Sequence, residues 1–134
     1  MKKVRIKVDW DENYGATPLN EDIACVATAK TFEDLKREMT EALRLHIEWM
    51  KEDGDEIPAE FAGDYELEFE LTGRALVHYA EGLVDREALS KASGINKVQL
   101  GHYSTGRSKP RPQQVERIKR GIGLIVAQLS ALSL

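Results

Sequence analysis

Two runs of alternating side chains bracket one long helical stripe, and no other feature constrains the fold as much. Val4, Ile6, Val8 and Trp10 alternate with Lys3, Arg5, Lys7 and Asp9. Period two over this length describes a strand with one covered face. Tyr65, Leu67, Phe69 and Leu71 alternate in the same way with Glu66, Glu68 and Glu70. Between these runs Phe32, Leu35, Met39, Leu43, Ile47 and Met50 recur every three or four residues, the spacing of one buried helix face. Asp11-Glu12-Asn13 reads as a turn into a returning strand, Tyr14 to Thr17, and Ala24 to Ala29 as a shorter strand holding Cys25 and Val26. Thr31 is placed to cap the helix, with Glu33 and Asp34 in its first turn, and Asp53-Gly54-Asp55 and Pro58 end it. The order is β-β-β-α-β, so the chain begins as an α+β domain. One helix covers one sheet face. The other face carries Lys3, Arg5 and Lys7 from the first strand and Glu66, Glu68 and Glu70 from the last. If those strands are antiparallel neighbours, the charges pair across them. This face is either solvated decoration or a docking surface for a protein.

The chain has 134 residues, 42% apolar and 31% charged, which is globular composition. The length suits one domain or two very small ones. No apolar run is long enough for a membrane span. The start, Met-Lys-Lys-Val-Arg-Ile-Lys, has no apolar signal core, and Cys25 is the one cysteine. Both point to the cytoplasm. The net charge of -4 conceals a split. Residues 1–70 hold 19 acidic and 9 basic side chains, a balance of -10, whereas residues 71–134 hold 4 and 10, a balance of +6. The expectation is an acidic domain joined to one that attracts polyanions; the alternative is the ordinary fluctuation of charge along a surface.

No catalytic constellation emerges. Asp9, Asp11 and Glu12 sit at a strand end and turn, where a solvated acidic loop is the ordinary reading. A ribonuclease-H-type enzyme using Asp9, Asp11 and a third carboxylate is the rival. His46 has no second ligand at metal spacing, and Cys25 has no base beside it. The chain is expected not to be an enzyme and to need no cofactor or metal.

The second half reads as short helices punctuated by glycine. Thr72 caps a helix over Arg74 to Glu81, with Leu76, Val77, Tyr79 and Ala80 as packing residues. Asp85 caps another over Arg86 to Ser93, with Ala88, Leu89 and Ala92 facing inward. Gly94 ends it, Ile95 plugs the core, and Asn96 caps a third helix, Lys97 to Ser104, closed by Thr105-Gly106. This is helix-turn-helix spacing.

Leu89, Gly94, Ile95, Leu100, Tyr103 and Gly106, followed by Arg107-Ser108-Lys109-Pro110-Arg111-Pro112, resemble the helix-turn-helix of phage repressors over residues 72–120. Ser90 stands where that family usually has alanine at a close helix approach. Gly101 lies inside the recognition helix, at a cost of about 1 kcal/mol against alanine, unless it admits a phosphate closely. The exposed face of such a helix is Asn96, Lys97, Val98, Gln99 and His102. Lys97 suits guanine, Gln99 adenine and Val98 a thymine methyl. By resemblance, Lys97, Val98 and His102 match the base-facing positions best. Arg107, Lys109 and Arg111 are assigned to phosphates. The plainer alternative is a helical domain with a basic surface.

Pro112 then opens a last helix. Val115, Ile118, Ile122, Ile125, Leu129 and Leu132 follow at steps of three and four, and Leu124 and Val126 widen the apolar surface. Ile122, Ile125, Leu129 and Leu132 are assigned to a homodimer seam. The alternative is that the tail packs on the first domain.

Taken together, the opening strand, Tyr14-Gly15, Cys25-Val26, Thr31-Phe32-Glu33-Asp34-Leu35, Asp53-Gly54-Asp55-Glu56-Ile57-Pro58 and Leu67 to Leu71 resemble the HicB family of antitoxins. The resemblance implies a degraded ribonuclease-H-like toxin-binding domain over 1–71 and a helix-turn-helix DNA-binding and dimerisation domain over 72–134. It further implies inhibition of a small basic ribonuclease toxin. It also implies repression of the chain's own operon through double-stranded operator DNA, as a homodimer or larger assembly. The family's proline-rich stretch before the cysteine strand reads here Ala16-Thr17-Pro18-Leu19-Asn20-Glu21-Asp22-Ile23-Ala24. That departure leaves open an orphan regulator whose N-terminal domain senses a ligand.

Overall fold

The computed structural model describes residues 1–134. The chain divides into two compact units, Met1–Thr72 and Gly73–Leu134. The first is a mixed β/α domain and the second is all helical. No helix is long and apolar enough to cross a membrane.

In the first unit, β1 (Lys2–Asp11), β2 (Asn13–Pro18), β3 (Ala27–Ala29) and β4 (Tyr65–Leu71) form one sheet in the order β3-β2-β1-β4. Helix α1 (Phe32–Glu52) stands between β3 and β4 in sequence. β1 and β2 are antiparallel around a turn at Glu12, whose φ is 66°. Alternation places Val4, Ile6 and Val8 in the core, where α1 contributes Leu35, Met39, Leu43 and Ile47. Thr31 Oγ1 accepts from the Asp34 amide and caps α1 as its sequence requires. The rings of Trp10, Tyr14, Phe32 and Phe69 touch in series, at centroid distances of 4.8, 6.0 and 5.8 Å, and so join β1, β2, α1 and β4. Phe61, in a short 3-10 turn Ala59–Phe61, is fully buried and meets Tyr65 edge-on at 5.1 Å.

Two expectations need correction. β1 and β4 are neighbours, but parallel, with Val4 opposite Leu67 and Ile6 opposite Phe69. Since β3 runs with β1, α1 acts as a crossover helix, and the strand after a crossover must run parallel to the strand before it. The charges still meet: Arg5 pairs with Glu70 at 2.7 Å and Lys3 with Glu68 at 3.7 Å. Both pairs are exposed and contribute little to stability. The second correction concerns β3, which starts at Ala27. Cys25 and Val26 lie before it, in a bend where the Cys25 amide bonds to the Ile23 carbonyl and the Ile23 amide to the Asn20 carbonyl. Cys25 is buried nonetheless, and burial raises its thiol pKa. Val26 points to solvent.

In the second unit, α2 (Gly73–Glu81), α3 (Arg86–Ser93), α4 (Lys97–Thr105) and α5 (Pro112–Ser130) enclose Val77, Ala80, Leu89, Ile95, Leu100, Tyr103 and Ile118. Helices α3 and α5 approach closely, backbone against backbone. A Cβ on Gly121 would lie 2.8 Å from the Ser93 amide nitrogen and 2.9 Å from its Cα. Ser90 on α3 is half-buried, and at the approach of α3 to α5 the small residue is Gly121.

Candidate nucleic-acid interface

The turn between α3 and α4 is built from local chemistry. Asp85 Oδ1 accepts from the Ala88 amide and starts α3. Gly94 ends it in the left-handed region, at φ 74°, which a side chain would strain. Ile95 turns into the core, while Ser93 Oγ accepts from the Ile95 amide at 3.2 Å. Asn96 Oδ1 accepts from the Gln99 amide at 2.8 Å and starts α4. Leu100 and Tyr103 anchor the inner face of α4. Gly106, at φ 80°, stops it, one residue after the expected end.

The outer face of α4 is led by Lys97 and Val98, both exposed, Val98 at 69%. An aliphatic side chain so open at the start of a helix does nothing for its own core. His102 is half-buried further along the helix. Asn96 is exposed, but its carbonyl oxygen is committed to the cap. Gln99 differs from the expectation of a freely offered amide: it is half-buried and its Nε2 donates to Ser108 Oγ at 3.1 Å. That bond, with the Ser108 amide donating to the His102 carbonyl at 3.2 Å, folds the following loop back on the helix. Pro110 is buried, whereas Arg107, Lys109 and Arg111 are exposed around it. The loop is therefore held at Ser108 and Pro110 and presents three cations between and beside those anchors.

Three interactions were not legible in the sequence. Arg117 on α5 donates through Nη2 to the Gly94 carbonyl at 2.9 Å and through Nη1 to Gln114 Oε1, bracing the turn. Arg74 on α2 donates to the Thr105 carbonyl at 3.3 Å and lies against Gly106, so part of the basic count serves the fold. Gly101 admits the guanidinium of Arg86, not a phosphate: a Cβ there would lie 2.8 Å from Arg86 Nη1. Arg86 meets Glu81 with two bonds, at 2.8 and 3.1 Å, and the Arg86 pKa is raised by the hydrogen bond to that carboxylate.

The residues assigned to a dimer seam divide along α5. Ile122 packs on the unit's own core. Ile125 is half-buried. Leu129 and Leu132 are each 57% exposed, and Leu124 and Val126 are exposed beside them. Leu124, Ile125, Leu129 and Leu132 line an open groove with Ala88 and Ala92 of α3.

In the first unit, Asp9 is engaged locally. Its Oδ1 accepts from Thr72 Oγ1 at 2.7 Å and from the Trp10 amide at 2.8 Å.

Compared with models of known protein families and with curated proteins, the sequence matches none.

Proposed function

We propose that this chain is a DNA-binding antitoxin that represses its own operon and neutralises a small basic ribonuclease. The observation that carries the reading is the surface of α4. Lys97 and Val98 are exposed at the front of a short helix fixed by a capped N-terminus and two left-handed glycines, with Arg107, Lys109 and Arg111 exposed just beyond it. A helix so presented fits a major groove N-terminus first. Lys97 then donates to guanine, Val98 packs on a thymine methyl, and His102 lies on the same side. The three loop cations take phosphates and supply a salt-dependent, sequence-independent share of the affinity. The exposed end of α5 supports a homodimer, the symmetry that two DNA half-sites demand. The acidic first unit, taken as a degraded ribonuclease-H-like domain, is the part that meets a basic protein.

Fluorescence anisotropy on DNA from upstream of the chain's own gene tests the reading. Lys97→Ala is expected to lose about 1–3 kcal/mol of discrimination against random DNA. Lys109→Ala is expected to weaken both alike and to reduce the salt slope by about one. Equal binding of own-promoter and random DNA by the unaltered protein overturns the repressor reading.

A further inference from the structure

Helix α1 carries an apolar feature that its own sheet does not use. Leu35, Met39, Leu43 and Ile47 are spent on the core. Leu45 and Trp49 stand one turn apart elsewhere on the helix, 39% and 65% exposed. Residues four apart share a face, so the two form one patch, with the half-buried Ala42 one turn before Leu45. Trp49 is one of only two tryptophans in the chain, and an indole in water is a poor use of the residue with the largest apolar surface to bury.

The rim of this patch is acidic. Glu41 and Glu48 are a helical turn from Leu45, Glu52 is a turn from Trp49, and Glu38 lies two turns before Leu45. All four are exposed. Three cations lie near them, Arg37, Arg44 and Lys51; Arg37 is paired with Asp34, and both ends of the Arg44 guanidinium are engaged, with Glu41 and with Glu48. The Glu41 pKa is lowered by its hydrogen bond to Arg44, and the carboxylate stays charged. The rim therefore keeps a net negative charge around a greasy centre.

That combination selects the occupant. A second copy docked on the same patch would bring two acidic rims together, and like charges across an interface are costly. Nucleic acid and anionic lipid are repelled for the same reason. What remains is a protein surface with lysines or arginines around an apolar pocket that receives the indole. A buried aromatic anchor inside a polar ring is the usual anatomy of an interface hot spot. We infer that the Leu45–Trp49 face of α1 is the surface on which this chain holds its basic protein partner, with Trp49 as the anchor. The inference rests on the antitoxin reading above and gives it a location.

The test is calorimetric titration of the full-length chain with the small basic protein encoded by the neighbouring gene. Trp49→Ala is expected to raise Kd about thirty-fold or more. Val26→Ser, which alters another exposed apolar residue of the same unit, is expected to leave Kd unchanged. Thermal melting of both variants is expected to match the unaltered protein, because neither residue belongs to the core. Glu38→Lys with Glu52→Lys is expected to slow association and to reverse its salt dependence. If the unaltered chain binds and Trp49→Ala binds equally well, the surface is wrong and the antitoxin reading stands. If the neighbouring product is absent or does not bind the unaltered chain, the antitoxin reading falls and this surface with it. If Trp49→Ala instead lowers self-association in sedimentation, the occupant is a second copy and the inference is overturned.

Discussion

Helices α1 and α5 have nearly the same apolar period and end in different circumstances. α1 runs for 21 residues and buries Leu35, Met39, Leu43 and Ile47 against its own sheet. α5 runs for 19 and buries only Ile118 and Gly121, while Leu129 at its far end and Leu132 just past it face solvent. The period states which face of a helix seeks cover. The surface available within the unit decides how much of that face receives it. A four-stranded sheet covers four turns of α1, whereas three helices of eight or nine residues run out before α5 does. Unused stripe is thus a measure of what a unit expects from outside.

The comparison breaks most readily in the core. Leu43→Ala is expected to cost about 2–5 kcal/mol in chemical denaturation, through lost transfer energy and a cavity. Leu129→Ala, measured in dilute solution, is expected to stay within about 0.5 kcal/mol of the unaltered protein. A large loss there would mean that the end of α5 is already covered. Next in size, Leu129→Asp is expected to weaken a dimer about ten-fold or more in sedimentation without altering helical content. An unchanged dimer moves the interface off α5.

Two glycines sharpen the contrast within α5 itself. Gly121→Ala drives a Cβ into the α3 backbone at Ser93 and is expected to cost about 1–3 kcal/mol. Two residues on, Gly123 meets nothing, and Gly123→Ala is expected to stabilise by up to about 1 kcal/mol through helix propensity. If both substitutions behave alike, the close approach of α3 and α5 is wrong. The smallest effect concerns pH. Burial on α2 lowers the His78 pKa from its ordinary 6.5, against a raising influence from Glu81. As pH falls below 6.5, the unfolded chain takes up the proton first, so stability is full above that value and declines beneath it. His78→Gln is expected to flatten that decline in melts across the acidic range.

Much of this architecture was legible because single residues fix it. Thr31, Asp85 and Asn96 start helices by accepting an amide three residues on, and Gly94 and Gly106 end them by adopting positive φ. Each needs only its neighbours. The parallel pairing of β1 with β4 follows from tracing the chain direction through β2, β3 and α1, which alternation within one strand does not supply. Ala24 to Val26 looked like strand by composition, but β2 runs into Pro18, which has no N–H for a ladder, and pairing stops at Ala16 opposite Ala27. At the candidate interface, exposure of Lys97, Val98, Arg107, Lys109 and Arg111 agreed with the pattern. The engagement of Gln99 with Ser108 did not, nor did the bracing of Gly94 by Arg117. Those contacts join residues 9 and 23 positions apart, and their partners are set by how elements pack.

The β1–β4 pairing also sets a timetable. Val4 must wait for Leu67, so the central strand of the first unit stays half-paired until nearly the whole unit has been synthesised. Closing so long a loop slows folding, whereas short helices in local contact assemble quickly. Each nascent chain therefore passes through an interval in which β1 presents a bare hydrogen-bonding edge beside Val4, Ile6 and Val8, the kind of edge that invites aggregation and proteolysis. The second unit has no strand and so passes through no such exposed edge.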